Sequence, residues 1–155
     1  MPVREVFAKM NIVLWILQVL LAIYFFVTGL VHFTLPTSLP PQMSWMFDLP
    51  PALHWFSGTV EILAALGLVL PGVTKVQPRL TTWAALGLVL VMAGAAVWHL
   101  QRGELTNIGM NALMAILSGF VAFGRWRLAP FTGGRRQQGS GRQEDSSADL
   151  GGPLA

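Results

Sequence analysis

Four long apolar stretches, separated by short polar or charged segments, dominate the pattern along the chain. Three of them are free of charge and run between Lys9 and Asp48, between Arg79 and Arg102, and between Glu104 and Arg125. The fourth contains a single charged residue, Glu61. An apolar run of about 20 residues can cross the hydrocarbon core of a bilayer as an α-helix. The pattern therefore predicts four membrane-spanning helices, at about residues 12–33, 52–70, 80–100 and 107–124.

Each predicted span carries its polar and small residues on one face when its positions are placed 100° apart. These faces comprise Gln18, Phe25, Gly29 and His32 in the first span, His54, Ser57, Gly58, Glu61 and Ala65 in the second, Thr81, Met92, Ala95 and His99 in the third, and Asn107, Asn111, Met114 and Ser118 in the fourth. Polar groups are costly in lipid, so the four faces are expected to turn toward one another. The predicted fold is all-α, an integral membrane four-helix bundle.

Composition and charge agree with this fold and suggest an orientation. The chain is 54% hydrophobic and 11% charged, whereas soluble domains are about 25% charged. Of the ten basic residues, all except Arg102 lie on one side of the predicted membrane. Basic residues favour the cytoplasmic side, which predicts cytoplasmic N- and C-termini. The same distribution explains the high isoelectric point as a consequence of membrane topology. The basic residues therefore do not indicate a nucleic-acid partner. We expect the first span to be retained and not cleaved as a signal peptide.

The chain divides into a predicted helical domain, residues 1–128, and a tail, residues 129–155. The tail is rich in Gly, Ser, Gln and charged residues, a composition typical of disorder. Residues 34–51 form the longer outer segment and contain several prolines, which exclude a regular helix throughout. The aromatic and methionine residues of this segment leave two interpretations open, a simple connector or a lid over the bundle.

The polar faces predict a cavity that opens toward the outside of the cell. His32, His54 and His99 all fall at the outer ends of their spans, where they would form a ring around the opening. A rise of 1.5 Å per residue places Glu61 about 10 Å deeper than His54. Asn111 lies one turn inside the fourth span. The repeated segment AALGLVL, at 64–70 and 84–90, would close the inner half, because small residues let helices approach closely.

Two interpretations of Glu61 remain open at this stage. The first is structural: a protonated acid, or one bonded to Asn111 or to a serine hydroxyl, that only holds helices together. The second is a proton-carrying or ligand-binding carboxylate, which is the usual role of an acid inside a membrane. Three histidines and an acid could in principle bind Zn²⁺, Cu²⁺ or haem iron. The spacing does not favour a metal or haem site, because no two histidines lie as close as in HExxH. The chain has no cysteine to supply a thiolate ligand or a redox centre.

Several segments resemble the DoxX and DoxX-like family of small four-span membrane proteins. They are GLVH at 29–32, GTVEILAALGLVLP at 58–71, AGAAVWHL at 93–100, and Asn111. The resemblance covers about residues 11–125, and His32 stands where the family pattern often has lysine. The resemblance implies an association with membrane-bound redox or stress-defence complexes, or a role as a membrane subunit in thiosulfate:quinone oxidation.

Three functional hypotheses follow. The chain carries no catalytic motif of its own, which disfavours an independent enzyme and leaves open a subunit of an oxidoreductase. The first is an accessory subunit in the plasma membrane that binds a quinone or lipid-like ligand and docks a redox or respiratory complex. The candidate ligand-binding residues are Glu61, His99, His54, His32 and Asn111. The second is a ligand-free scaffold or assembly factor. The third, a small proton-coupled transporter that uses Glu61, is disfavoured because four spans are few for a transporter.

Overall fold

The computed structural model describes residues 3–129 and consists of helices and the connections between them. The helices are α1 (Val3–Thr34), α2 (Pro51–Thr74), α3 (Leu80–Gln101) and α4 (Leu105–Phe123). A 3₁₀ helix, Pro41–Asp48, lies between α1 and α2, and we call it the loop helix. A π-helical turn, Gly124–Leu128, extends α4. The predicted disordered tail lies outside the described residues apart from Ala129.

All four predicted spans are confirmed as helices that are long and apolar enough to cross a membrane: Glu5–Thr34, Pro51–Thr74, Leu80–Gln101 and Leu105–Leu128. Their boundaries extend beyond the predicted ones because helices continue past the apolar core into the interface. The α1 helix begins well before residue 12, so Glu5 and Lys9 are both helical. The α2 helix passes through the buried Pro71 and ends at Thr74. The next residue, Lys75, has a left-handed conformation with φ 58°.

The helices form an antiparallel bundle in which each packs mainly against the next in the sequence. The antiparallel order is visible between α1 and α2, where Gln18 contacts Leu68 at one end and His32 contacts His54 at the other. Every residue of the four predicted polar faces is buried or half-buried, which confirms that these faces point inward. Outward positions are apolar, such as Leu90 and Ile116, which are 74% and 68% exposed. Lipid is the solvent that suits such a surface.

The two AALGLVL segments do not contribute equally to the close packing of α2 and α3. A Cβ atom on Gly67 would lie 2.7 Å from Ala84 Cβ, so this glycine is needed for the approach of the two helices. A Cβ atom on Gly87, the matching glycine of the second copy, would meet no atom within 4 Å. The close approach therefore joins Gly67 of the first copy to Ala84 of the second, and the two glycines of the repeat do not make equivalent contacts.

Candidate functional site

Glu61 is buried on α2 and faces α1. Its carboxyl Oε2 lies 2.7 Å from Thr28 Oγ1, and its Oε1 lies 3.9 Å from His32 Nε2. The residue is 6% exposed. Its hydrogen-bond partner is thus Thr28 of α1. The structural interpretation of Glu61 had named Asn111 or a serine hydroxyl as the partner. The carboxyl group is held at a helix–helix contact and does not face lipid.

The approach of α1 to α2 that brings these groups together is made by glycine. A Cβ atom on Gly58 would lie 2.9 Å from His32 Cβ and 3.0 Å from the carbonyl oxygen of Gly29. Gly58 lies one turn from His54 and one turn from Glu61, so the three share one face of α2. His32 can therefore pack across Gly58 and reach both neighbours. The glycine is needed here for space and not for backbone conformation.

Two histidines are hydrogen-bonded to each other at this end of the bundle. His32 Nδ1 and His54 Nδ1 are 2.9 Å apart, and His54 Nε2 is 2.9 Å from the carbonyl oxygen of Met46 in the loop helix. The rings meet nearly edge to face, with centroids 5.1 Å apart. A chain of polar atoms consequently runs from Glu61 through both imidazoles to the loop helix.

The third histidine belongs to a separate ionic cluster in the turn between α3 and α4. Glu104 accepts hydrogen bonds from His99 Nδ1 at 2.7 Å, from Arg102 Nε at 2.7 Å and from Asn107 Nδ2 at 3.0 Å. Arg102 also pairs with Asp48 at 2.5 Å. These bonds, first that from Arg102 and then that from His99, lower the pKa of Glu104 to about 2. The Asp48 contact fastens the end of the loop helix to this turn.

Trp45 of the loop helix lies between the two groups of histidines. Its ring centroid is 4.9 Å from that of His99, with the planes at 88°, and 6.1 Å from that of His32. Its neighbour Met46 is 1% exposed. The indole thus packs against both imidazoles, and the loop helix brings residues of α1, α2 and α3 into one cluster. We call the three histidines, Glu61, Trp45 and Met46 the histidine cluster.

The expectation of an open ring of histidines is wrong. His32, His54 and His99 are 5%, 9% and 1% exposed. The physical reason is that Trp45 packs against the rings of His32 and His99, while the buried Met46 lies against His54 through its carbonyl oxygen. This packing removes apolar surface from water. Of the two interpretations of residues 34–51, the structure therefore favours a cover over a simple connector. The predicted opening toward the outside is therefore covered by the loop helix.

The remaining predicted residue, Asn111, lies apart from these hydrogen bonds. It is half-buried on α4, and its Nδ2 atom is enclosed without a hydrogen-bond partner among residues 3–129. Within the same range, no group of three or more His, Asp or Glu side chains is arranged to hold a metal ion. The facing nitrogens of His32 and His54 are joined by a hydrogen bond, which is a different use of those atoms from metal ligation.

Arg125, at the opposite end of the bundle, is buried, which the sequence pattern did not predict. The pattern indicated only a basic residue on the cytoplasmic side. Arg125 is 3% exposed and donates to Gln18 Oε1 at 2.5 Å and to Asn11 Oδ1 at 2.6 Å. Gln18 in turn donates to the carbonyl oxygen of Leu68. The available signal was Gln18 itself, a buried amide that needs a partner. These bonds tie α1, α2 and the end of α4 together.

A groove of about 1040 Å³ also opens at this opposite end, between α3 and α4. Its lining includes Arg79, Trp83, Gly119 and Trp126, and none of the predicted site residues. It is therefore a groove separate from the histidine cluster.

Comparison with known proteins identified one family. The chain matches the DoxX-like family over residues 16–121, a range that contains all five candidate ligand-binding residues and Thr28 but not Arg125. The search of curated proteins returned no match, and neither did the search of solved structures.

Proposed function

The chain belongs to the DoxX-like family, and we propose that this integral membrane protein is an accessory subunit that binds the head of a quinone or lipid-like ligand beneath the loop helix. The observation that carries the proposal is the histidine cluster itself. Polar ring atoms, a carboxyl group and an indole are gathered inside an apolar bundle at one end of the spans. Ligand sites in proteins commonly combine apolar walls with a few placed polar groups.

His99 is the strongest candidate to contact the ligand head. Its Nδ1 donates to the Glu104 carboxylate, which leaves Nε2 as the remaining polar atom of the ring. This atom can donate to a quinone carbonyl when protonated, or accept from a quinol hydroxyl when it is not. The ring packs edge to face against Trp45, whose indole could stack on a flat ligand. Glu61, His54, His32 and Asn111 would line the space below.

The loop helix is the proposed docking surface for a redox partner. It exposes Phe47 beside the Asp48–Arg102 ion pair, so apolar and charged groups occur together on its outer side. We also place the protein in the plasma membrane with both termini in the cytoplasm. The support is the charge distribution, because Lys75 and Arg79, both exposed, lie in the α2–α3 connection at the end opposite the histidine cluster, and basic residues favour the cytoplasmic side.

Quinone binding in lipid nanodiscs tests this function. Wild-type protein should bind a soluble quinone analogue, and His99→Gln should weaken binding about tenfold, the worth of one good hydrogen bond. Arg79→Gln, which alters the distant groove, is the matched control and should bind normally.

Unchanged affinity in His99→Gln would contradict the assignment, and a loss confined to Arg79→Gln would place the ligand in the groove between α3 and α4. Stable recovery of a larger membrane complex, with no quinone or lipid bound in stoichiometric amount, would favour the scaffold hypothesis instead.

A further inference from the structure

The hydrogen bond between His54 and Met46 fixes which ring nitrogen of His54 carries a proton. A backbone carbonyl oxygen can only accept, so His54 Nε2 must donate across the 2.9 Å that separate the two atoms. In the neutral imidazole only one nitrogen carries hydrogen. His54 Nδ1 therefore presents a lone pair toward α1.

The same reasoning fixes the next ring. His32 Nδ1 lies 2.9 Å from His54 Nδ1 and must be the donor when His54 Nδ1 is the acceptor. Neutral His32 then has its lone pair on Nε2, the atom that faces Glu61 Oε1 at 3.9 Å. The order of donors and acceptors is thus determined from the loop helix down to His32 Nε2, whose lone pair faces the carboxyl group.

We propose that Glu61, His32 and His54 form a proton relay between the membrane interior and the loop helix. In the forward step the Oε1–H bond of Glu61 breaks and a bond from hydrogen to His32 Nε2 forms. The Nδ1–H bond of His32 breaks and a bond from hydrogen to His54 Nδ1 forms. Glu61 becomes a carboxylate, His54 becomes an imidazolium and His32 is neutral before and after. Neither ring has to rotate, because each nitrogen exchanges its role with the atom it already faces.

The surroundings suit both end states of the relay. Thr28 Oγ1, 2.7 Å from Glu61 Oε2, can donate to the carboxylate, while His32 Nε2–H donates to the other oxygen. His54 continues to donate to Met46 in either state. The 3.9 Å between Oε1 and Nε2 exceeds hydrogen-bond length, so transfer requires an approach of about 1 Å or one bridging water.

Other titratable groups lie near the chain but outside it. Tyr24 on α1 lies one turn before Thr28, the hydrogen-bond partner of Glu61. His99 on α3 is separated from His32 by the ring of Trp45, and the charged Asp48, Arg102 and Glu104 follow on its far side. None of these is needed for the step. The relay concerns the same cluster as the proposed ligand site but does not require a ligand.

The tautomers can be measured directly because the chain has three histidines. Protein with ¹⁵N-labelled histidine in lipid bilayers should show His32 protonated on Nδ1 and His54 on Nε2, with a coupling between the two Nδ1 atoms across their hydrogen bond. His99→Gln removes one set of signals and should leave the others unchanged. Finding both neutral rings protonated on Nε2, without the coupling, would overturn the relay.

Proton transfer is tested by infrared spectroscopy of the same ligand-free protein. The carboxyl band of Glu61, identified by its loss in Glu61→Gln, should exchange with D₂O about 100-fold more slowly in His32→Phe, since an aligned acid–base partner typically gives that acceleration. Gly94→Ala, on an open face of α3 outside the histidine cluster, should exchange as the wild type does. Equal exchange rates in all three proteins would overturn the proposal, and if His32→Phe fails to fold, the tautomer measurement on the wild type decides alone. Quinone affinity is measured separately, so either idea can fail without the other.

Discussion

Glu104 shows how a single side chain can organise the end of a helical bundle. Its carboxylate receives hydrogen bonds from Arg102, His99 and Asn107, and Arg102 extends the contact to Asp48 in the loop helix. This one residue therefore orients an imidazole inside the bundle and connects it to an ion pair at the surface. The position of the His99 ring is fixed from outside the membrane.

We expect the hydrogen bonds of Glu104 to make the stability of the folded protein depend on pH in the acid range. The pKa of Glu104 is lowered from 4.5 to about 2 in the folded protein, so its contribution is fully present above about pH 4.5 and is lost as the pH falls toward about 2. Denaturation midpoints in detergent, measured across that range, should fall for the wild type. Glu104→Gln should be less stable at neutral pH and should show a smaller fall.

Glu5→Gln is the control for this experiment, because it removes an exposed carboxylate in the first turn of α1. It should retain the acid dependence of the wild type. Parallel curves for Glu104→Gln and the wild type would show that the Glu104 cluster does not contribute.

At this scale the sequence predicted which polar groups are buried and missed their hydrogen-bond partners. The helical period placed Glu61 and the histidines on inward faces, since lipid penalises every other orientation. Thr28 could have been found, because it lies one turn before His32 on the same helix. The Met46 carbonyl could not have been identified as a partner from the sequence. Its direction depends on the backbone of an irregular segment, about which side-chain periodicity carries no information.

Between α1 and α2, glycine decides how close two helices come. A Cβ atom on Gly29 would lie 2.8 Å from Ile62 Cγ1, and one on Gly58 would lie 3.0 Å from the Gly29 carbonyl oxygen. A backbone atom cannot rotate away as a side chain can. The contact that carries His32 to Glu61 and His54 therefore depends on two positions without side chains.

Gly58→Ala should separate α1 from α2 and destabilise the protein by about 1–3 kcal/mol, the usual cost of overpacking. Gly94→Ala on α3 is the matched control, since its Cβ would meet no atom within 4 Å. It should be neutral or gain up to about 1 kcal/mol from better helix propensity. Unfolding in a detergent titration measures both, and equal stability of the two variants would refute the close contact.

Whole elements were predicted with unequal success. The spans were correct because twenty apolar residues in lipid have few alternatives to a helix. The loop helix was not predicted as a helix, although Pro41 at its first position is favourable there. It is stabilised by what it covers, the imidazoles and the ion pair at Asp48, and such tertiary support is invisible in a local pattern.

For the molecule as a whole, the two ends of the bundle differ in chemistry. One end gathers histidines beneath the loop helix, and the other buries the Arg125 guanidinium against amide oxygens of α1. Exposed basic residues accompany the second end. This asymmetry is what an oriented membrane protein requires, and it leads to a test of the orientation.

Because the chain has no cysteine, single cysteines can report the topology without background. Ser44→Cys in the loop helix and Val76→Cys in the α2–α3 connection are both at exposed positions on opposite ends. A membrane-impermeant thiol reagent should label Ser44→Cys on intact cells and Val76→Cys only after permeabilisation, because basic residues stay inside. The reverse pattern would invert the proposed orientation.

The bond from His54 to the Met46 carbonyl has a mechanical consequence. It is the outermost bond of the imidazole chain, and its acceptor belongs to a segment that a docked protein would touch. Displacing that segment would deprive His54 of its acceptor, and Nε2 would be free to exchange its hydrogen with water. In the proposed relay, contact at the membrane surface would therefore open a route by which the acid two turns deeper exchanges its proton with water.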